Sequence, residues 1–534
     1  MVSMSSNRWT RTWPYAVCGL VAAAAGMAVG HLVAAFVNPA ASPVLSVGST
    51  VIDATPTPVK EWAIKHFGTN DKPILLLSVA IVTALAAAGI GLVARRRPTV
   101  ALVLLVGLAG LAGLAAMTRP AALPQDIIPA LAAAITGAAI LSWLRGLLAL
   151  RAAGAAPASA AGAAESAESP LDHTAYAPGT PSTPPRRSFL LGAAGVTAGA
   201  AVVGTIGQNL SAAPSLPTSF TLPAPTTPLP PLATGLEGTV KGISPFRTPN
   251  KDFYRVDTAL VIPRVDVSSW RLSIDGDVEQ PMTLSFKQLL AMPMIEHDIT
   301  LNCVSNEVGG PFISSTRWLG VRVRDLLEAA KVKPGVEQIL SESTDGMTIS
   351  TPIEALTDQR DAIIAVAMDG QPLPAQHGFP ARMVTPGLYG YVGATKWVTR
   401  LTATTYAAQQ AYWTQRGWAE KADVKTQARI DTPMGLATYP PGRIAIGGVA
   451  WAQERGIEGV EVRIDQGPWQ KATLGPDGGT DYWRQWYLPW DATSGRHELT
   501  VRATDGTGAQ QTQTQAAPFP NGASGYHSVV VLIS

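Results

Sequence analysis

Cysteine is almost absent from this chain. Its 534 residues hold two, Cys18 and Cys303. Cys18 sits in an apolar run near the N-terminus, where pairing with Cys303 is not expected, so a disulfide framework is excluded. Excess charge of one sign is also missing. Forty Lys and Arg against 38 Asp and Glu leave a formal net charge of +2. A basic nucleic-acid surface is therefore not indicated, and no nucleic-acid partner is expected. No GxGxxG or GxxxxGK[ST] stands between a strand and a helix, which argues against a nucleotide fold.

Charge is missing altogether from five segments, about 12–37, 73–94, 98–118, 127–144 and 188–208. Each has the roughly 18–22 apolar residues needed to cross a hydrocarbon core. They are rich in Ala, Gly, Leu and Val, as packed membrane helices are. Mean hydropathy is +0.17. Buried helices of a soluble protein are the competing reading, which crowding of four such runs into the first 150 or so residues disfavours. The expectation is four transmembrane helices in 1–151 and a fifth at 188–210, with the lipid membrane as a partner.

Arg8 and Arg11 precede the first run, Arg95–Arg97 follow the second, Arg145 and Arg151 close the fourth, and Arg186 and Arg187 precede the fifth. These ends share one side if the N-terminus is cytoplasmic. Everything after about residue 210 then lies outside the cytoplasm. Residues 152–187 are rich in Ala, Ser, Pro and Gly and read as a disordered cytoplasmic linker. It leads into "PPRRSFLLGAAGVTAGAAVVG", a basic pair before a weakly apolar helix, which looks like a twin-arginine export signal. The competing reading is a plain charge pair at a helix start. Residues 211–240 are Pro- and Thr-rich and read as a stiff spacer.

From about 241 the texture changes. "WRLSIDGDV" alternates as a strand, "FKQLLAMP" and "VRDLLEAAKV" read as short amphipathic helices, and "DAIIAVAMDGQPL" as a helix or buried strand before an Asp-Gly turn. This is an α+β domain over 241–425. Over 426–534 only strands are expected, including "RIAIGGVAW", "WRQWYLPW" and "YHSVVVLI". Their spacing predicts an immunoglobulin-like β-sandwich. The fold class is therefore multi-domain: an α-helical membrane bundle, an α+β domain and a sandwich.

Cys303 stands in "ITLNCVSNEVGG". It could be a small core residue, a nucleophile with His297 or His377 as base, or a soft-metal ligand. Neighbouring Asn302, Asn306, Gly309 and Gly310 suggest a loop that comes close to something. "QHGFPARMVTPGLYGYVGATKW" adds His377, Arg382 and Lys396 among glycines, a composition suited to phosphate. "TPNKDFYRVDTAL" adds an aromatic, Arg-bearing loop. Together they imply a large anionic cofactor presented to a thiolate.

These segments, with "RWLGVRVRDLL" and the tail "GVAWAQERGIEGVEVRIDQGPW…HELTVRATDGTG", fall in the order of the sulfite oxidase family of molybdopterin enzymes, which the chain resembles from about 245 to its end. The resemblance implies a molybdopterin cofactor and two-electron oxygen-atom transfer on a small-molecule substrate. It implies that Cys303 is the catalytic cysteine whose sulfur ligates molybdenum. Tyr254, Arg255 and Asp257 would lie in the pterin-holding loop, and Ser343 would be a polar contact. His377 and Arg382 would meet pterin and phosphate, with Gly393, Ala394, Thr395 and Lys396 wrapping the cofactor. The tail would be the family's dimerisation-type domain, making a homodimer a candidate assembly.

Sulfite oxidases carry Arg-Asn-His where this chain has Arg255, Val256, Asp257 and Thr258, so a carboxylate replaces neutral or basic groups. A carboxylate repels an anionic substrate. An uncharged oxide or sulfoxide is therefore expected as readily as sulfite. No C-x-x-C-H is present and the spans hold one histidine, His31, so no haem is evident. A separate redox partner or quinone is expected, and the twin-arginine translocase for export. The rivals are a non-enzymatic exported scaffold and a hydrolase using Cys303 with a histidine.

Overall fold

The computed structural model describes residues 12–67, 70–154, 186–212 and 220–534. The linker expected at 152–187 lies almost wholly outside the described residues, as do Arg8 and Arg11. The chain divides into two compact units, 1–213 and 214–534.

The first unit is helical: α1 (Trp13–Val37), α2 (Pro43–Ala54), α3 (Thr57–Phe67), α4 (Asp71–Ala94), α5 (Pro98–Met117), α6 (Ile128–Gly154) and α7 (Arg186–Ala212). Among the described residues five stretches are long and apolar enough to cross a membrane: Trp13–Val37, Lys72–Ala94, Pro98–Met117, Pro124–Ala149 and Phe189–Leu210. They coincide with the five charge-free runs. Close packing explains the Gly content. A Cβ on Gly19 would lie 2.0 Å from the Ala87 carbonyl, and one on Gly91 2.1 Å from that of Tyr15. So α1 and α4 touch backbone to backbone, which only the smallest residue allows. Helices α2 and α3 were not expected; the mixed charges of that loop hid them. Pro43 opens α2 at its first position, where the missing N–H costs nothing.

The second unit holds four sheets. Its α+β part contains β1 (Arg271–Gly276), β2 (Met282–Ser285), α8 (Phe286–Leu290), β3 (Ile295–Asn302), β4 (Ile313–Arg322), α9 (Val323–Ala330), β5 (Gln338–Ser343), β6 (Thr348–Pro352), α10 (Glu354–Thr357), β7 (Ile363–Met368), β8 (Gln371–Pro372), β9 (Arg382–Val384), α11 (Gly390–Gly393) and β10 (Val398–Thr404). One sheet has the order β2-β1-β10-β5-β6; the other runs β3-β4-β7-β8, with β9 also paired to β7. They enclose a core of Leu272, Ile274, Val321, Ile364, Val366 and Leu401, closed by Leu326 and Leu327 of α9.

The ambiguous "AIIAVAM" run is a strand, buried along its whole length. It is β-branched and too short for a helix, and it ends in a two-residue turn at Asp369 and Gly370, both at positive φ. Helix α8 opens with a reciprocal cap between Ser285 and Gln288.

The rest is all strand: β11 (Gln427–Thr432), β12 (Thr438–Tyr439), β13 (Gly442–Trp451), β14 (Ile457–Ile464), β15 (Trp469–Lys471), β16 (Thr473–Leu474), β17 (Arg484–Ala492), β18 (Gly495–Asp505) and β19 (His527–Ile533). Sheets β11-β13-β17-β16 and β12-β19-β18-β14-β15 share one core, with Ile446, Trp486 and Trp490 from the first and Val462, Val501 and Val531 from the second. This is a two-sheet sandwich.

From Phe220 the expected spacer does not stand free of the domain. Thr226 N donates to Met294 O at 2.8 Å, Leu229 N to Glu296 at 2.8 Å and Leu236 N to Gln485 at 2.7 Å. Proline fixes much of the backbone, and these three amides tie it to the domain surface.

Candidate functional site

Cys303 is the first residue past β3, half-buried, in a turn that leads back into β4. Its amide donates to Phe312 O at 3.0 Å and its carbonyl accepts from Asn306 N at 3.0 Å. Asn306 closes the turn by accepting Phe312 N at 2.8 Å. Burial pushes the thiol up, while hydrogen bonds from Ser305 and the charge of Lys396 pull it down.

Arg382 is 5% exposed, at the start of β9. Its Nη1 donates to His377 O at 3.1 Å, and its guanidinium lies 5.2 Å from the Trp318 ring centre. Its Nε is buried with no partner. Among the described residues no carboxylate pairs with it. Burial pushes it down from 12.5 to about 10. A buried, uncompensated cation with an idle donor is costly unless something anionic joins it.

Three more groups converge there. His377 is buried, and its Nε2 lies 3.1 Å from Asn250 O. Burial, then Arg382 and Lys396, push its pKa down to about 4, so the ring is neutral. Nε2 carries the proton to Asn250 O, and Nδ1 is left as an acceptor. Lys396 Nζ donates to Asp257 Oδ2 at 2.7 Å, and burial pushes it down to about 8 against the pull of Asp257. Gly378, at φ +113°, makes the approach possible: a Cβ there would lie 3.0 Å from Arg382 Cβ and 3.2 Å from Lys396 Cα.

Arg255 Nε donates to Asp257 Oδ2 at 2.8 Å. Asp257 is thus buried between two cations, at 4% side-chain exposure. This corrects the expectation that it repels an anion: its charge is spent on Arg255 and Lys396. Tyr254 stacks on Phe253 with centroids 5.6 Å apart, and its amide donates to Ser314 Oγ at 3.1 Å. Burial pushes its phenol well above the usual range, and Cys303 adds to this. Ser343, at the end of β5, has a buried hydroxyl with no partner. Gly393, Ala394 and Thr395 run beside β9, with Met383 N donating to Thr395 O at 2.8 Å. Thr395 Oγ1 is hydrogen-bonded to the Ser341 hydroxyl.

Arg255, Asp257, His377, Arg382 and Lys396 form one cluster of titratable side chains, with His377 neutral within it. Others were missed. Asn302 Oδ1 and Thr385 Oγ1 are buried without partners. Tyr389 is buried, and burial, with Cys303 adding, pushes it up to about 12. The sequence signal for Asn302 was a polar residue closing an otherwise buried strand. Both ring nitrogens of His297 are engaged elsewhere, Nε2 with Asp481 at 3.1 Å and Nδ1 with Asp361 O at 3.3 Å.

Residues 259–413 match the family model for the oxidoreductase molybdopterin binding domain. An oxidoreductase of Bacillus subtilis, YuiH, is 31% identical over 158 residues, covering 76% of that protein and 30% of this chain. The chain belongs to the molybdopterin-binding oxidoreductases of the sulfite oxidase family. Chicken sulfite oxidase is 29% identical over 309 residues, 49% of this chain and 67% of that protein. Human mitochondrial sulfite oxidase is 29% identical over 306 residues, 48% of this chain, and the match spans about half of the human protein, 55%. The crystal structure of the sulfane dehydrogenase SoxCD from Paracoccus pantotrophus aligns over 59% of this chain and 91% of its own, at 22% identity and a TM-score of 0.48. The matched family domain contains Cys303, Ser343, His377, Arg382 and 393–396; Tyr254, Arg255 and Asp257 precede it.

Proposed function

We propose that this chain is a membrane-anchored molybdoenzyme with its catalytic domain outside the cytoplasm, carrying out two-electron oxygen-atom transfer on a small substrate. One observation carries the reading: Arg382 is buried without a counter-anion among the described residues, its Nε idle, beside His377 and Lys396, and Lys396 lies within electrostatic reach of Cys303. The donor set fits a phosphate-bearing pterin. Arg382 and Lys396 would meet the anion. His377 would present Nδ1 as an acceptor, and the Ser343 hydroxyl and the Asn302 amide oxygen, both buried without a partner among the described residues, would supply further polar contacts. Cys303 supplies a thiolate ligand. When bound, the molybdenum cofactor supplies the two-electron redox change and the oxygen-atom exchange. Asp257 holds Lys396 and Arg255 in place and keeps Lys396 protonated.

The five apolar helices support membrane anchoring, and the arginine distribution supports a cytoplasmic N-terminus. A folded, cofactor-loaded domain cannot thread a channel that passes unfolded chains. A twin-arginine route at Arg186 and Arg187 reconciles that with an exported domain. We read the C-terminal sandwich as immunoglobulin-like and of the dimerisation type, and a separate redox partner or quinone as the electron carrier. Molybdenum and pterin are measured on the purified chain; near-stoichiometric content is expected. Absence of both, in protein made by a cofactor-producing host, rules the reading out.

A further inference from the structure

We propose that the C-terminal sandwich is half of the mounting of Cys303, with Arg429 and His527 as positioning residues. This rests on the molybdenum reading of Cys303. The sandwich grips the chain on both sides of the cysteine. Three residues before it, Thr300 N donates to Asp481 O at 2.9 Å and Thr300 Oγ1 accepts from Trp483 N at 2.8 Å. Gln453 Nε2 donates to Thr300 O at 2.9 Å. The free edge of β3 is therefore occupied by sandwich residues just before the turn begins. Val304, next to Cys303, is buried in a cluster with Val449, Trp451 and Trp483.

Beyond the cysteine, Arg429 Nη1 donates to Gly310 O at 2.8 Å. Its Nε is held by Asp431 at 2.6 Å and its Nη2 by Ser244 Oγ at 2.8 Å, so the guanidinium is fixed at three points. His527 packs on the adjacent residue. Its Nδ1 accepts Ile430 N at 3.0 Å, which orients the ring. A Cβ on Gly309 would lie only 2.2 Å from its Nε2. The turn is internally tied, Gly310 N to Glu307 O at 2.8 Å and Asn306 to Phe312, so displacement at Gly309 and Gly310 is passed to Cys303. A metal–ligand distance tolerates only about 0.2 Å. Such outer contacts commonly matter about 10–100-fold. Arg429 and His527 meet the turn at Gly310 and Gly309 rather than at the cysteine itself, so they act through the turn.

The test uses the full chain with Cys18→Ser, leaving Cys303 as the single thiol. Arg429→Met, Arg429→Lys and His527→Gln are made in that background. Protein from a host that cannot make the cofactor is treated with iodoacetamide, and the alkylation rate of Cys303 is measured. Loaded protein is examined for molybdenum content and for its thiolate-to-metal absorption band. Arg429→Met is expected to change the alkylation rate about ten-fold and to shift or weaken the band at unchanged molybdenum content, with Arg429→Lys recovering part of both. Parent-like alkylation and an unchanged band overturn the proposal. If Arg429→Met fails to fold, Arg429→Lys and His527→Gln decide on the same readouts. A parent chain that never holds molybdenum removes the cofactor reading, while the alkylation measurement still decides whether the sandwich holds the turn.

Discussion

Replacing Arg382 with Met separates what the site costs the empty chain from what it contributes to the loaded one. Burial pushes the guanidinium from 12.5 to about 10. At about 1.4 kcal/mol per pH unit, the empty chain carries roughly 3 kcal/mol of uncompensated charge burial. Methionine removes that cost and keeps the packing against Trp318. It also leaves the His377 carbonyl without the donor it has at 3.1 Å, a loss of roughly 1–3 kcal/mol. The two nearly cancel, so the apparent Tm of cofactor-free protein should move by less than about 5 °C. The loaded chain should behave differently. Two charge-assisted bonds to an anion are worth roughly 3–6 kcal/mol, so cofactor retention should fall at least about a hundred-fold. Thermal unfolding of the empty chain and molybdenum content after gel filtration measure the two sides. A large Tm drop in the empty chain, with molybdenum retained, would refute the assignment, since Arg382 would then be a structural cation.

Cys303→Ser should leave a folded chain that retains pterin but loses redox turnover, because an alkoxide is a harder and less accessible ligand than a thiolate; undiminished activity counts against the ligand assignment. Lys396 is pushed down to about 8, so cofactor retention should weaken as pH rises through about 8, while the stability of the empty chain rises between about 8 and 10.5 as the buried ammonium is discharged. In Asp257→Asn the opposing carboxylate is gone, and the loss of retention should move to lower pH; an unshifted profile excludes Lys396 as the group responsible. Substituting Lys for both Arg186 and Arg187 keeps the charge, and should leave the catalytic domain inaccessible to protease from the outer face while the earlier spans insert; an exported, molybdenum-loaded domain would reduce the pair to a topology charge.

The strands and spans were legible because each has its own period or run length. "WRLSIDGDV" alternates, and β1 buries every second residue over most of its length. The apolar runs are uninterrupted, and the helices follow them closely. Where a segment is both short and apolar, as in "AIIAVAM", its partners decide, and pairing with β4, β8 and β9 makes β7 a strand. The seating of Cys303 left no trace at all. Arg429 and Gly310, or Gln453 and Thr300, lie more than a hundred residues apart. No local spacing records such a contact.

Asp257 shows how the same ignorance of partners misdirects a chemical reading. Taken alone, a carboxylate in an anion-binding loop argues against sulfite. In the fold it sits 2.8 Å from Arg255 and 2.7 Å from Lys396, at 4% side-chain exposure. A buried acid between two cations presents little field to a substrate, and it sets the position of both cations instead. The net charge of the Arg255–Asp257–Lys396 group is positive when Lys396 is protonated, and Arg382 adds to it. The excess over neutrality matches an anionic cofactor rather than an empty pocket. Nearer Cys303, Tyr254 is held as a neutral phenol by burial. Neutral phenols can donate a hydrogen bond to an oxygen atom without demanding that the substrate be charged.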